Sequence, residues 1–224
     1  MWQTLYDDLK SHNFVILAVA MDVPEAARPW IEAAKTTYPC LIDSAHHLAD
    51  LYNMINVPQA VWIDEAGHMV RPPENAGAAD TLRFRDPTTG LLPADKIAER
   101  ARTKETYVAA VRDWVLNGRA SAHVLDAATA RSRMRLPNDD MAVAHVQFRL
   151  GQFLLRTGKA EEAVRHFVEA SRLHPDSWNI WRQAASKDGT GLAATSAFWE
   201  RVARLGDRPY YLPIALKGLA PQQP

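Results

Sequence analysis

Residues 56–64 read Asn-Val-Pro-Gln-Ala-Val-Trp-Ile-Asp, and they decide how the first part of the chain folds. A polar residue and a proline lead into a short apolar run that closes on aspartate. The turn residues Asp64-Glu65-Ala66-Gly67 follow, and then a second apolar-rich segment, His68 to Arg71. Two such runs around a glycine-containing turn predict an antiparallel hairpin of Gln59–Ile63 against His68–Arg71. Working backwards, Leu48, Leu51, Tyr52 and Ile55 share one face of a predicted helix over 45–55, with Ser44 placed to cap it. Before it, Tyr38–Ile42 (YPCLI) reads as a short strand. Pro24 opens a helix running to about Lys35, whose Trp30, Ile31 and Ala34 face inward. The unbroken apolar run Phe14–Met21 has the character of a strand buried on both faces. At the start, Trp2, Leu5, Tyr6 and Leu9 fall on one helical face. Helix, strand, helix, strand, helix and hairpin predict an α/β layer built on a mixed sheet.

Forward of the hairpin, residues 72–93 carry Pro, Gly, Asn and Thr without a sustained period and read as a loop or linker. From Ala94 onward the pattern is helical, with breaks near Gly118, Pro137-Asn138, Gly158, Pro175, Gly189 and Gly206. The expected division is therefore 1–75, a linker over 76–93, and a helical region over 94–224. Within that region, Leu150-Gly151, Leu154, Gly158, Ala163, Phe167, Ala170 and Pro175 reproduce the tetratricopeptide pattern over 144–175. Gly151, Ala163 and Ala170 let two antiparallel helices, 144–157 and 160–173, approach closely. Leu150, Leu154 and Phe167 fill between them, Gly158 turns the chain, and Pro175 ends the second helix. Gln147 stands where the pattern usually has a large aromatic. The next segment, Ser177–Ala184 (SWNIWRQA), opens like another repeat and then loses the pattern. One clear unit is fewer than the three or so that make a free-standing array. Packing on neighbouring helices is thus the simpler expectation, and a peptide-binding groove the alternative.

The block from Phe14 to Arg71 resembles the redoxin branch of the thioredoxin fold, the thiol-specific antioxidant and cytochrome-maturation types. The resemblance rests on AVAMD (18–22), YPCLID (38–43), LADLYNMI (48–55), NVPQAVWID (56–64) and EAGHMV (65–70). It implies that Val57 and Pro58 shape a substrate site: in that family the proline is cis, which an X-Pro bond adopts at little cost, and the residue before it offers backbone groups to a substrate chain. It also implies that the reactive cysteines, set at a helix N-terminus that lowers a thiol pKa, belong just ahead of Met1, together with the strand that carries them. The expected fold class is an α/β thioredoxin-like domain missing its first strand and CxxC segment, followed by an all-α tail with one tetratricopeptide-type hairpin. Phe14–Met21 and Gln59–Ile63 would then lose their shared neighbour. A start placed too late is the favoured explanation, because two exposed central strand edges invite aggregation.

With one cysteine, Cys40, the chain has no internal disulfide, CxxC pair or thiolate metal cluster, so no catalytic residue is assigned. Cys40 lies in an apolar strand and reads first as a core residue; a resolving role toward an upstream thiol is the other reading. His46 and His47 are adjacent and do not share a helical face. His145, His166 and His174 read as surface or boundary residues, and no metal site or cofactor is expected. The acid pairs Asp139-Asp140 and Glu161-Glu162 sit at predicted helix starts, where the dipole favours them, and the tryptophans read as core. Lys plus Arg equal Asp plus Glu at 26 each, which leaves no electrostatic footprint for nucleic acid. The longest apolar run is too short for a membrane span, and MWQTLYDD is not a secretory leader, so a cytoplasmic location is expected.

Two functions follow. The complete product is a thiol-disulfide oxidoreductase or peroxide-reducing redoxin acting on a protein thiol, a disulfide or a peroxide. Alternatively it is a non-catalytic redoxin-fold scaffold that holds a protein partner through its helical tail. An upstream cysteine motif separates the two, although an upstream stop codon could itself encode selenocysteine.

Overall fold

The computed structural model describes residues 1–86, 89–189 and 191–219. Its first elements are α1 (Trp2–Leu9), β1 (Ala18–Ala20), α2 (Pro24–Ala34), β2 (Cys40–Ile42), α3 (His47–Leu51), β3 (Gln59–Ile63) and β4 (Met69–Asn75). The long α4 (Ala94–Asn117) follows, then α5 (Ala127–Arg133), α6 (Asp139–Arg156), α7 (Ala160–Leu173), α8 (Trp178–Ala184) and α9 (Ser196–Ala203). The order of elements over the first 75 residues is the one the sequence predicts. The sheet differs from the prediction. Instead of one mixed sheet there are two two-stranded pieces, β1 parallel to β2 and β3 antiparallel to β4. Nothing among the described residues bridges β1 to β3.

That separation explains why the strand predicted over 14–21 shortens to three residues: without a neighbour on its other edge, the flanking backbone has no ladder to join. Leu17, which reads as buried, is more than a third exposed, and so are Leu41 and Ile63. β4 instead runs past the expected Arg71 through Pro72 and Pro73 to Asn75. It is the free edge of its hairpin, the place where prolines without an N–H are tolerated. The pairing slips around Trp62.

Other inward assignments change too. On α2, Ala27 is buried, whereas Trp30 is 75% exposed and Ala34 is also at the surface. The helix predicted over 45–55 is cut to five residues. Asp43, not Ser44, caps it, accepting the amides of His47 (2.7 Å) and Leu48 (2.8 Å), and Leu51 faces solvent.

The largest core joins Leu5 and Leu9 of α1, Trp62 of β3, Val70 of β4, Tyr107, Ala110 and Val111 of α4, and Ile214 and Leu216 near the C-terminus. α4 therefore closes the face of the hairpin, although it lies beyond the 76–93 segment. Trp62 stacks on Trp114 with ring centres 5.0 Å apart, and its indole N–H donates to Tyr107 Oη at 2.9 Å. Burial pushes the Tyr107 hydroxyl far above its usual pKa, so it stays protonated. Arg71, 1% exposed, ties the parts together. Its guanidinium forks onto Glu74 (2.6 and 2.9 Å) and donates to the carbonyls of His123 (2.7 Å) and Ala215 (2.8 Å).

A second core lies between α6 and α7: Ala144, Phe148, Leu154, Ala163, Phe167 and Ala170, with Ile180 of α8. Helix 160–173 has the predicted bounds, while the first helix begins earlier, at Asp139, where Asn138 caps it by accepting from the Met141 amide at 2.9 Å. A Cβ on Gly151 would lie 2.7 Å from a Phe167 ring carbon, so glycine is what permits the close crossing. Leu150, expected inside, is 41% exposed; Phe148, two residues earlier and on the opposite side of the helix, is fully buried in its place. A third cluster is aromatic: Trp178, Phe198 and Tyr210 with Val202, and Trp181 packed against it. No helix among the described residues is long and apolar enough to cross a membrane.

Candidate functional site

Val57 and Pro58 sit where the chain passes from α3 to β3, and the peptide bond between them is cis. Both are exposed, Val57 by 42%. They lie at the start of β3, which has β4 on one edge and no strand among the described residues on the other. The Pro58 carbonyl accepts from the Ala76 amide at 3.1 Å, which holds this end of the hairpin.

Behind the exposed pair, the approach is pinned by buried asparagines. Asn56 accepts from the Val57 amide at 2.9 Å and from Arg182 Nη1 at 3.0 Å, and its own amide donates to the Tyr210 carbonyl at 3.2 Å. Arg182 also donates to Tyr210 Oη. The Ile55 carbonyl accepts from the Trp178 amide at 2.7 Å, and Asn179 Nδ2 donates to the Met54 carbonyl at 2.7 Å. The first turn of α8 thus grips residues 54–56.

The α6–α7 pair grips α3. Asp50 receives His145 Nδ1 at 2.8 Å and Arg149 Nε at 3.0 Å, and Gln152 donates to the Ser44 carbonyl at 3.2 Å. Asn53 holds a left-handed backbone conformation. It donates to the Arg135 carbonyl at 2.9 Å and faces His174 Nε2 at 3.3 Å. His46 also has positive φ, is 4% exposed, and meets the Phe148 ring edge-on at 5.0 Å. Burial lowers the pKa of His46 and takes that of His174 down to about 4, with the nearby His145 adding to the second shift. His174, read from the sequence as a surface or boundary residue, is instead 1% exposed.

Cys40 is half-buried on β2, in the other piece of sheet from Pro58. Its Sγ lies 3.2 Å from Thr36 Oγ1 and 3.7 Å from the Tyr38 carbonyl. Burial, with Cys40 beside it, raises the Tyr38 hydroxyl. The sequence thus found the exposed pair 57–58 but missed its supports, Asn53, Asn56, His145, His174 and Arg182. Asn56 immediately before Val-Pro was the one local signal; His145, His174 and Arg182 are brought in from 95 to 126 residues away. Among the described residues, no three His, Cys, Asp or Glu side chains are placed to hold a metal ion.

Helix, parallel strand pair, exposed cis X-Pro and hairpin backed by a long helix are the parts of a thioredoxin-like domain, here joined to a largely helical C-terminal region. Residues 2–71 match the AhpC/TSA family, a redoxin family of that fold. No curated protein and no solved structure gives a match.

Proposed function

We propose that this chain is the larger part of a thiol-dependent redoxin, a thiol-disulfide oxidoreductase or peroxide-reducing enzyme. Its reactive thiol or selenol is carried on a strand ahead of residue 1. The observation that carries this reading is that β1 and β3 are not paired with each other: the sheet lies in two two-stranded pieces whose outer edges join no other strand among the described residues, and Leu17, Leu41 and Ile63 are left exposed. The family match over 2–71 supplies the class of chemistry. A strand between β1 and β3 completes the sheet and brings its C-terminal end toward the N-terminus of α1. There a thiolate is favoured and Val57-Pro58 meet the substrate. Cys40 lies on the far strand and keeps only a resolving role.

The α6–α7 hairpin is read as one tetratricopeptide-type unit, supported by the close crossing at Gly151 and by fully buried Ala163 and Ala170. Its service is internal: with α8 it braces residues 43–56, the approach to the substrate site.

The test is the intact mass of the product of the native gene, with alkylation of its thiols and selenols. A product heavier than 25.0 kDa with an alkylatable group besides Cys40 is expected, and Pro58→Ala in it lowers disulfide or peroxide turnover. A product of 25.0 kDa in which only Cys40 reacts refutes the reading.

A further inference from the structure

The backbone at the head of β3 is unevenly supplied with hydrogen-bonding groups. Val57 is 42% exposed, yet its N–H is engaged, donating to Asn56 Oδ1 at 2.9 Å. Pro58 has no N–H to give, and its carbonyl already accepts from the Ala76 amide at 3.1 Å. Among the described residues, nothing donates to the Val57 carbonyl. It is the one main-chain group of the exposed pair left open to a ligand.

Asn56 is fixed in the conformation that engages the amide. It is 5% exposed, its Oδ1 also accepts from Arg182 Nη1 at 3.0 Å, and its Nδ2 donates to the Tyr210 carbonyl at 3.2 Å. Arg182 is itself held by Tyr210 Oη and lies over the Trp178 ring, 6.0 Å from its centre. Turning Asn56 away from Val57 breaks its bonds to Val57, Arg182 and Tyr210 together, in a buried place where lost partners are costly.

A polypeptide that binds by adding itself to a strand needs both donors and acceptors from the host backbone. Val57 and Pro58 present an acceptor and no donor. An extended chain laid beside them would turn one of its own carbonyls toward an amide already engaged and a proline ring, where it stays unpaired. A small molecule that donates one hydrogen bond to the Val57 carbonyl meets no such penalty.

We propose that Asn56 is a specificity-determining residue of the Val57-Pro58 site: by holding the Val57 amide it turns away extended polypeptides and leaves the site to small substrates with an O–H donor. The proposal rests on the functional reading above and narrows it, since a hydroperoxide carries such a donor and a polypeptide disulfide does not. The helical region sets this preference, because Arg182 and Tyr210 fix Asn56 from 126 and 154 residues away.

Two measurements test it. In the 224-residue protein, amide exchange followed by NMR should find Val57 protected in spite of its exposure. Asn56→Ala should release it, while Ala76, bonded to the neighbouring Pro58 carbonyl, keeps its protection and reports an intact hairpin. In the longer product of the native gene, kcat/KM is measured for hydrogen peroxide and for the disulfides of insulin. Asn56→Ala should raise the insulin-to-peroxide ratio about fivefold, the worth of one net hydrogen bond, through a lower KM for insulin. Asn56→Asp, which keeps an oxygen for Val57 and Arg182, should hold the ratio near the wild-type value. A Val57 amide that exchanges freely in the wild type, or a ratio that Asn56→Ala leaves unchanged, overturns the proposal and leaves the functional reading standing. A native product in which only Cys40 is alkylated overturns that reading, and this proposal with it.

Discussion

Gly151 shows how narrowly one residue governs the helical hairpin. Adding a methyl group there drives it to 2.7 Å from the Phe167 ring and 3.2 Å from the Ala163 carbonyl. The ring is 2% exposed and Ala163 fully buried, so neither can step aside without opening the pair. Gly151→Ala should cost about 1–3 kcal/mol by overpacking, read as a lower denaturation midpoint for the helical region. Gly158 is the contrast: space surrounds it, but its φ of +82° suits glycine. Alanine there should cost about 1–2 kcal/mol through backbone strain alone. An unchanged midpoint for Gly151→Ala would mean that α6 and α7 do not cross as closely as described.

At the scale of elements, α3 is the joint on which the site depends. Five residues are too few to hold a helix by their own hydrogen bonds, and α3 survives through what surrounds it. Asp43 caps its first turn, Asp50 is held by His145 and Arg149, and Asn53 and Asn56 are clasped from the far end of the chain. Asp43→Ala removes two short carboxylate-to-amide bonds and should cost about 1–2 kcal/mol. It should also raise amide exchange over residues 47–58 before the rest of the molecule loosens. If exchange at 47–58 stays as slow as in the wild type, α3 does not depend on that cap. Asp43→Asn, which keeps an accepting oxygen, should recover part of the protection.

For the whole molecule, the join between the first 75 residues and the helical region is sensitive to acid. His174 lies buried against Asn53, beside His145, with Asp176 and Arg135 acting on it, and burial holds its pKa at about 4. An unfolded histidine titrates near 6.5, so the folded state binds fewer protons than the unfolded one between these values. The stabilisation is complete above pH 6.5 and declines as pH falls toward 4. Between pH 7 and 5 the loss should be about 2 kcal/mol. His46, also lowered by burial, acts in the same direction. Urea denaturation at several pH values tests this, with His174→Gln expected to flatten the slope below pH 6.5. An equal slope in wild type and variant would show that His174 is not the titrating group.

Read alone, the sequence determined what is local. Hydrophobic period located α1, α2 and the α6–α7 pair, the Asp64–Gly67 turn located the hairpin, and NVPQAVWID marked the exposed Val57-Pro58. All of these depend on residues a few positions apart, and for those spacing is sufficient. The tertiary structure alone decided what depends on distant partners. The sheet is split because a strand needs a neighbour to persist, so Phe14–Met21 kept only three strand residues. The hairpin's covering helix came from beyond residue 93, Trp30 was left in solvent, and His174 was buried. Asn53 and Asn56 became supports only once Arg135, Arg182 and Tyr210 were folded against them. A polar side chain reads as surface in a sequence, and it becomes structural when a remote chain segment takes it out of water and must satisfy its hydrogen bonds.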